Sequence, residues 1–405
     1  MTSTMMTQET RRCSILGVLL GTVCVMPQVL WAQQAPAPSA AGVRLDPFVL
    51  YPSLSVAEGY NDNVTLAPNN QVKSAVTIIA PAILAELKGS TTAYRLGYNG
   101  QYGRFSSSTA DNYDYHEFRG GADFDFSARS RLRANAEYLM KSDPRGSTLA
   151  STGATTPNKY RQAGIGGLYS YGAPGAMGRV EVEAFYTDKR YENNFAVTDT
   201  LDYQSKKYGA AFFWRVGPKT EVLFQGQQIR TDYMSPAAFA DNTERRIFTG
   251  LKWEATAATS GTFKVGYSKK DFTRQGAEDP KGLIWDGTIR WSPLTYSVVD
   301  FATGKNFNDP SGAGNTFTRN EYVNARWTHG WTERIRSELF GSYVTDNYQG
   351  LGRSDKTSTI SAKLSYDMRR WLVLGAEYTH TDRSSSISSA EYKKNLILFS
   401  LKGTL

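Results

Sequence analysis

The sequence has very little cysteine: of 405 residues only Cys13 and Cys24 are cysteines. Both lie in an apolar segment that follows Arg11 and Arg12 and ends at Ala32, before a Pro-rich stretch. This pattern predicts a signal peptide over residues 1–32, cleaved on export. The alternative, an N-terminal membrane anchor, needs about 20 apolar residues, and the run is shorter. Without the signal, the exported chain has neither disulfides nor thiol chemistry.

Histidine is also scarce, with only His116, His329 and His380 in the chain. The predicted strands place them on different hairpins. No metal-ligand spacing, nucleophile elbow or Gly-rich phosphate loop stands out, so the sequence predicts no metal, no cofactor and no enzyme. A hydrolase assembled across strands from Ser and Asp residues remains the alternative.

Beyond residue 32 the chain lacks an apolar run long enough for a membrane helix, although it is rich in aromatic residues, with 24 Tyr and 19 Phe. Dense aromatics with a mean hydropathy of -0.44 are typical of a barrel with a polar lumen. The net charge of +8 would fall to +7 on removal of Glu9, Arg11 and Arg12. A basic excess favours nucleic acid, an anionic membrane or an anionic solute. The export signal makes nucleic acid the least favoured, and no nucleic-acid partner is predicted.

The end of the chain shows the pattern that the rest repeats. Apolar Leu372, Leu374, Ala376 and Tyr378 alternate with small or polar residues, which is the period of a β-strand. The same criteria predict strands at 48–60, 74–87, 91–105, 114–127, 130–142, 160–173, 177–190, 202–217, 219–231, 243–257, 260–273, 281–293, 295–305, 317–331, 332–348, 357–370, 371–382 and 390–405.

The connections between these strands alternate between tight turns and longer polar loops. That asymmetry predicts an all-β, antiparallel transmembrane β-barrel in the outer membrane of a Gram-negative bacterium, with periplasmic turns and extracellular loops. The count is about eighteen strands, with sixteen as the alternative. The predicted domains are a signal peptide (1–32), a periplasmic linker (33–47) and the barrel (48–405). A soluble β-sandwich, the other architecture considered, would not need one edge of turns and one of loops.

Alternation also predicts which way side chains face. Tyr138 and Met140 should face lipid while Glu137 and Lys141 face the lumen, because charged side chains in hydrocarbon are costly. Tryptophans near the turns are typical of a periplasmic aromatic girdle, with sugar stacking as the alternative. They are Trp214, Trp291, Trp327, Trp331 and Trp371.

Inward-facing arginines near the predicted turns are the main candidate site. They are Arg131, Arg133, Arg179, Arg215, Arg290, Arg326, Arg334 and Arg336. One hypothesis is an electropositive lumen that concentrates anions. The other is a ladder of salt bridges to interleaved glutamates that stiffens the wall.

Aromatic residues close to Asp and Asn in the long loops allow two interpretations, carbohydrate binding or an outer aromatic girdle. They are Tyr60, Tyr113, Tyr115, Tyr191, Phe195, Tyr233, Phe307, Phe317 and Tyr348.

The end of the first predicted strand, EGYNDNV, contains Gly59, Tyr60, Asp62 and Asn63. This motif resembles the signature of a porin 2-like family of outer-membrane β-barrels often found in exopolysaccharide biosynthesis loci. The resemblance covers essentially the whole exported chain, although the last residue is Leu405 where most outer-membrane barrels end in Phe or Trp. It implies a channel that takes part in polysaccharide export, and no site residue is carried over from it.

The predicted function is therefore an outer-membrane channel for a secreted exopolysaccharide. Its partners would be outer-membrane lipid, a polysaccharide of anionic character, and separate periplasmic or inner-membrane synthesis proteins that deliver the polymer. The alternatives are a general diffusion porin for small anionic solutes and, third, an outer-membrane enzyme or adhesin. The longest loop, Asp143 to Lys159, has one acidic residue. A constriction loop would have several, so its composition argues against the general porin.

Overall fold

The computed structural model describes residues 42–405 except 174, 239, 257, 275–278 and 313. The predicted signal peptide and most of the predicted linker lie outside the described residues. No helix in the described part of the chain is long and apolar enough to cross a membrane.

The described chain forms nineteen strands, numbered in chain order. They are β1 (Val43–Leu45), β2 (Phe48–Asn61), β3 (Ser74–Lys88), β4 (Thr92–Phe105), β5 (Tyr113–Ser127), β6 (Ser130–Asp143), β7 (Asn158–Tyr171), β8 (Gly178–Tyr191), β9 (Tyr203–Gly217), β10 (Thr220–Tyr233), β11 (Asn242–Thr256), β12 (Thr259–Phe272), β13 (Lys281–Leu294), β14 (Ser297–Asn308), β15 (Phe317–Gly330), β16 (Ile335–Gln349), β17 (Arg353–Arg369), β18 (Leu372–Ser385) and β19 (Tyr392–Thr404).

Each strand from β2 to β19 pairs antiparallel with the next, and β19 pairs with β2. This closes an eighteen-stranded barrel, and the short β1 pairs antiparallel with the first residues of β2. The predicted fold class is therefore confirmed, and every predicted strand boundary lies within four residues of the observed one. Apolar and polar residues alternate strongly because one face of the wall meets lipid and the other meets water. The sequence therefore indicates which residues face each side, and with them the register of each strand.

Tight turns lie at one end of the barrel and longer loops at the other. Within the described residues the longer loops hold the helical segments, which are α1 (Phe195–Thr198) and three 3₁₀ turns at Thr109–Asp111, Asp199–Leu201 and Ser388–Ala390. One difference concerns residues 349–356, which were predicted to form a loop between two strands. In the structure β16 ends at Gln349 and β17 begins at Arg353, so the loop is only residues 350–352. Arg353 and Asp355 make the earlier start of β17 favourable, since they form a buried ion pair on the inner face.

The two faces of the wall follow the predicted alternation. On β6, Tyr138 and Met140 are exposed on the outside, and Lys141 instead donates to Glu117 on the inside at 2.9 Å. On β8, Val180 and Val182 are exposed, while Arg179 and Glu181 pair with each other. The lumen is therefore polar and the outer face apolar, as water on one side and hydrocarbon on the other require.

The tryptophans near the turns lie on the outside. Trp214 and Trp291 alternate with inward arginines and are half-exposed, and Trp331 and Trp371 lie in turns. Indole rings at this level are typical of an interfacial aromatic girdle. Because the rings point outward, this interpretation is favoured over sugar stacking.

Candidate functional site

The loop between β6 and β7, residues 144–157, is called the constriction loop here because it enters the barrel. It is compact: the N–H of Gly146 donates to the carbonyl of Ser151 at 2.9 Å. Ala150 packs against Tyr191 and Leu201 in a buried apolar cluster. Its N–H donates to the carbonyl of Ser311, in the loop before β15, at 3.0 Å. Eight strands separate these two loops one way round the barrel and ten the other, so the constriction loop crosses the lumen.

Arg383 on β18 holds the loop to a third part of the wall. Its Nη1 donates to the carbonyl of Gly146 at 3.1 Å and its Nη2 to that of Ser147 at 3.4 Å. The guanidinium carbon lies 4.6 Å from the ring centroid of Tyr392, and the residue is only 6% exposed. Gly146 is required here, because its φ is +75° and a Cβ would lie 2.9 Å from the carbonyl oxygen of Thr65.

A second arginine fastens the near end of the loop. The Nε of Arg145 donates to Asp111 Oδ1 at 2.8 Å, and its Nη2 donates to Ser108 Oγ at 3.1 Å. The hydrogen bond to Asp111 holds the pKa of the Arg145 guanidinium above its ordinary value, so the group stays charged. Residues 145–147 are therefore tied to β18 and to the turn at Thr109–Asp111 by charge-assisted hydrogen bonds, which are about twice as strong as neutral ones.

The sequence predicted that this loop, with so few acidic residues, would not form a constriction, and that prediction is wrong. Residues 144–157 contain no carboxylate, yet the loop folds inward. Backbone carbonyls of the loop accept hydrogen bonds from a cation of the wall, and the apolar side chain of Ala150 packs against apolar residues. Hydrogen bonds to a backbone leave no signal in the loop's composition, which is why the sequence did not reveal them.

Tyrosines line the inner wall around this level on β5 and on β7 to β10. They are Tyr113, Tyr115, Tyr160, Tyr191, Tyr203 and Tyr233. Lys189 lies 4.0 Å from the ring centroid of Tyr160 and 4.6 Å from that of Tyr191. The hydroxyl of Tyr191 donates to Asp143 Oδ2 at 2.8 Å.

The loop aromatics named from the sequence divide between the two faces. Tyr113, Tyr115, Tyr191, Tyr233 and Tyr348 have the inward register, whereas Tyr60 has the outward register and is half-exposed. Phe307 and Phe317 are buried in an apolar cluster and present no ring to a solute, while Phe195 is exposed in a loop. Neither of the two interpretations covers the whole set.

Five of the eight arginines singled out in the sequence pair with carboxylates. The pairs are Arg133–Asp123 (3.9 Å), Arg179–Glu221 (2.9 Å), Arg290–Asp300 (2.6 Å), Arg326–Glu338 (3.4 Å) and Arg336–Asp367 (3.5 Å). All but one of these pairs join neighbouring strands, and Arg179–Glu221 spans from β8 to β10. This arrangement resembles the ladder that stiffens the wall.

Among the described residues, the other three arginines form no ion pair with a carboxylate. Arg131 donates to the carbonyl of Gly172 at 3.4 Å, and Arg215 donates to that of Pro218 at 2.7 Å. Arg334 lies in the turn before β16, not on a strand as predicted. The strand begins three residues later than predicted because Thr332 closes the turn, accepting from the N–H groups of Arg334 and Ile335.

Three inward lysines were missed in the sequence. Lys252, Lys394 and Lys402 have the inward register on β11 and β19, and within the described residues none of them forms an ion pair. The Nζ of Lys252 lies 6.0 Å from the ring centroid of Phe213. Alternation alone could have placed all three inside, but whether a carboxylate reaches them depends on neighbouring strands.

The family-like motif lies where the first and last barrel strands meet. Asp62 accepts from the backbone N–H and the Nδ2 of Asn395, both at 2.6 Å. The Nδ2 of Asn63 donates to the carbonyl of Lys393 at 2.9 Å and to that of Ala67 at 2.8 Å. Gly59 has no room for a side chain, since a Cβ would lie 2.0 Å from the carbonyl oxygen of Ile397. We call these three residues the seam clasp.

No group of three or more potential metal ligands occurs among the residues that the structure describes. The arrangement is that of a passage: a polar lumen, a loop across it, and cations and tyrosines on its wall.

A match to a protein family agrees with this architecture. A family model described as "Putative beta-barrel porin 2" matches residues 36–404. Similar solved structures include a BenF-like porin from Pseudomonas fluorescens Pf-5, 11% identical with a TM-score of 0.49, over 89% of this chain and 100% of that chain. Another is OpdK from Pseudomonas aeruginosa with vanillate, also 11% identical with a TM-score of 0.49, over 88% and 99%. OccAB3 from Acinetobacter baumannii is 10% identical with a TM-score of 0.48, over 89% and 100%. No curated protein matches the chain in sequence.

Proposed function

The chain belongs to the putative β-barrel porin 2 family and is an outer-membrane porin of a Gram-negative bacterium, and from this premise we propose that it is a diffusion channel for small polar solutes that prefers anions. The observation that carries the proposal is the constriction loop. A loop that is tied to the wall by Arg145 and Arg383 and crosses the lumen narrows the path, which favours small solutes. A polymer with bulky sugar repeats needs a continuous wide path.

Anion preference rests on the unpaired lysines more than on the arginines. The carboxylates beside Arg179, Arg290 and Arg326 cancel most of their field. Lys252, Lys394 and Lys402 have no such partner among the described residues. An uncompensated charge beside a narrow, low-dielectric wall raises the local concentration of the opposite ion.

The selectivity follows from which cations are unpaired. We expect reversal potentials in planar bilayers to give an anion-to-cation permeability ratio above one for the native channel. Lys394→Gln with Lys402→Gln should lower that ratio by roughly twofold, since each removes an uncompensated lumen charge.

The matched control removes a paired charge instead. Arg290→Gln with Asp300→Asn eliminates one cation and one anion from the wall, so the ratio should stay within error of the native value. A native channel selective for cations would refute the preference for anions, and an equal effect of both double variants would show that paired and unpaired cations contribute alike.

Export of an exopolysaccharide is the second candidate, favoured by the inward tyrosines, whose rings can stack on sugars. In this second candidate a separate partner delivers the polymer to the barrel.

The two functions separate in one experiment. In liposome-swelling assays a small-solute channel admits monosaccharides fast and larger oligosaccharides progressively more slowly. Oligosaccharides cut from the producing organism's secreted polymer should not block its conductance at low concentration. Selective block by those oligosaccharides, with unrelated sugars of the same length inactive, would favour export and count against the diffusion channel.

A further inference from the structure

Cations lie directly opposite one another on the outer face of the barrel near the long loops. Lys206 on β9 pairs in register with Arg230 on β10. Arg245 on β11 pairs with Lys269 on β12, which in turn pairs with Lys281 on β13. These five residues are called the basic face.

The register shows that the basic face points away from the lumen. Each strand alternates, and for four of the five residues the position two residues nearer the turns carries an exposed apolar side chain: Tyr208, Ile247, Tyr267 or Leu283. The exception is Arg230, where that position is Gln228. The basic face therefore lies immediately on the loop side of the lipid-facing band. At that level an outer-membrane barrel meets the headgroups of the outer leaflet.

Among the described residues, only two carboxylates pair with these five cations. Arg230 pairs with Asp232 at 2.9 Å, while Arg245 and Lys269 share Asp271. Among the described residues neither Lys206 nor Lys281 forms an ion pair. Like charges directly opposite on a sheet are destabilising, so the arrangement needs anions from outside the chain.

The excess is confined to one side of the barrel. On the opposite side, the outward cations at the same level are Arg104, Lys356 and Lys393. Arg104 pairs with Asp114 at 2.6 Å and Lys393 with Asp382 at 3.1 Å. These three lie on separate strands with neutral or acidic neighbours between them, and none is opposite another cation.

We propose that the basic face binds the phosphate groups of phosphorylated lipid headgroups in the outer leaflet. A phosphate has three acceptor oxygens and can accept from cations on two adjacent strands, which lie about 4.8 Å apart. The acyl chains of the same lipid would cover the exposed apolar side chains below. That combination distinguishes a lipid headgroup from free phosphate, which would gain nothing from the apolar band. The proposal does not depend on which solute the lumen passes.

The test measures lipid retention by native mass spectrometry of the full barrel refolded in detergent. The probes are lipid A with two phosphates and the same lipid after enzymatic removal of both. We expect retention of the bisphosphorylated form and about tenfold weaker retention of it by Arg245→Gln/Lys269→Gln/Lys281→Gln, since each cation near an anionic surface contributes to binding. The control variant Arg104→Gln/Lys356→Gln/Lys393→Gln removes the same number of charges from the other side and should retain the lipid like the native protein.

Several outcomes would overturn the proposal. Equal retention of both lipid forms would show that phosphate is not recognised, and equal losses in the two triple variants would show nonspecific attraction. Displacement of the lipid by millimolar inorganic phosphate would assign the site to free phosphate. Heat-modifiable migration checks folding, and if the triple variant does not fold, Lys206→Gln with Lys281→Gln removes the two cations without ion pairs and must weaken retention in the same direction.

Discussion

Replacing Arg383 by alanine should raise the single-channel conductance of the refolded barrel by roughly twofold or more, because the constriction loop loses its attachment to β18. The guanidinium donates to the carbonyls of Gly146 and Ser147. Each hydrogen bond to a charged group contributes about 1.5–3 kcal/mol, so the docked position of the loop would lose about 3 kcal/mol or more. Adding Arg145→Ala also removes the adjacent attachment to Asp111 and should raise the conductance further.

Arg104→Ala is the matched control for this prediction. Its Nη1 also donates to two backbone carbonyls, those of Gly103 and Tyr113, both at 3.0 Å, but it lies on the outer face of β4. Its conductance should equal the native value. If Arg383→Ala conducts no better than Arg104→Ala while migrating as a folded barrel, the loop does not limit the passage, and the main argument for a small-solute channel is lost.

Asn63→Ala should sharply lower the fraction of chain that refolds from urea into detergent micelles. The substitution leaves the carbonyls of Lys393 and Ala67, and the N–H of Ala67, without their partner. Unsatisfied buried groups cost about 1–3 kcal/mol each, so the seam would lose about 3 kcal/mol or more. Gly59→Ala should have a comparable effect, because its Cβ would lie 2.0 Å from the backbone oxygen of Ile397. Heat-modifiable migration on gels measures the folded fraction.

The control for the seam is Gly341→Ala on β16, where a new Cβ meets nothing within 4 Å. Its folded fraction should match the native one. Normal refolding of both Asn63→Ala and Gly59→Ala would mean that pairing of β2 with β19 does not need the seam clasp. The motif would then have a role other than closing the barrel.

The barrel itself could be predicted from the sequence because its pattern is local. Alternation as in Leu372 to Tyr378 assigns each side chain to lipid or water, and short turns alternating with long loops give an antiparallel order. The same rule placed Arg290 and Arg326 in the lumen. It could have placed Lys394 and Lys402 there as well, had every inward cation been considered and not only the arginines.

The candidate site was less predictable because its contacts span the barrel. Arg383 meets Gly146 across 237 positions of chain, and Asn63 meets Lys393 across 330. The residues near Arg145 in the sequence do not indicate that the loop turns inward. Likewise, the partners of the arginines depend on register between strands, which decides whether a carboxylate such as Asp300 lies close enough to neutralise its neighbour.

The sequence by itself determined the class of this protein, the number and order of its strands, and the direction of each side chain, since a period of two is a property of the strand alone. Tertiary structure decided which charges remain uncompensated, where the constriction loop docks and what the seam clasp holds together. Those properties depend on distances between strands and loops far apart in sequence, and only the closed barrel fixes such distances.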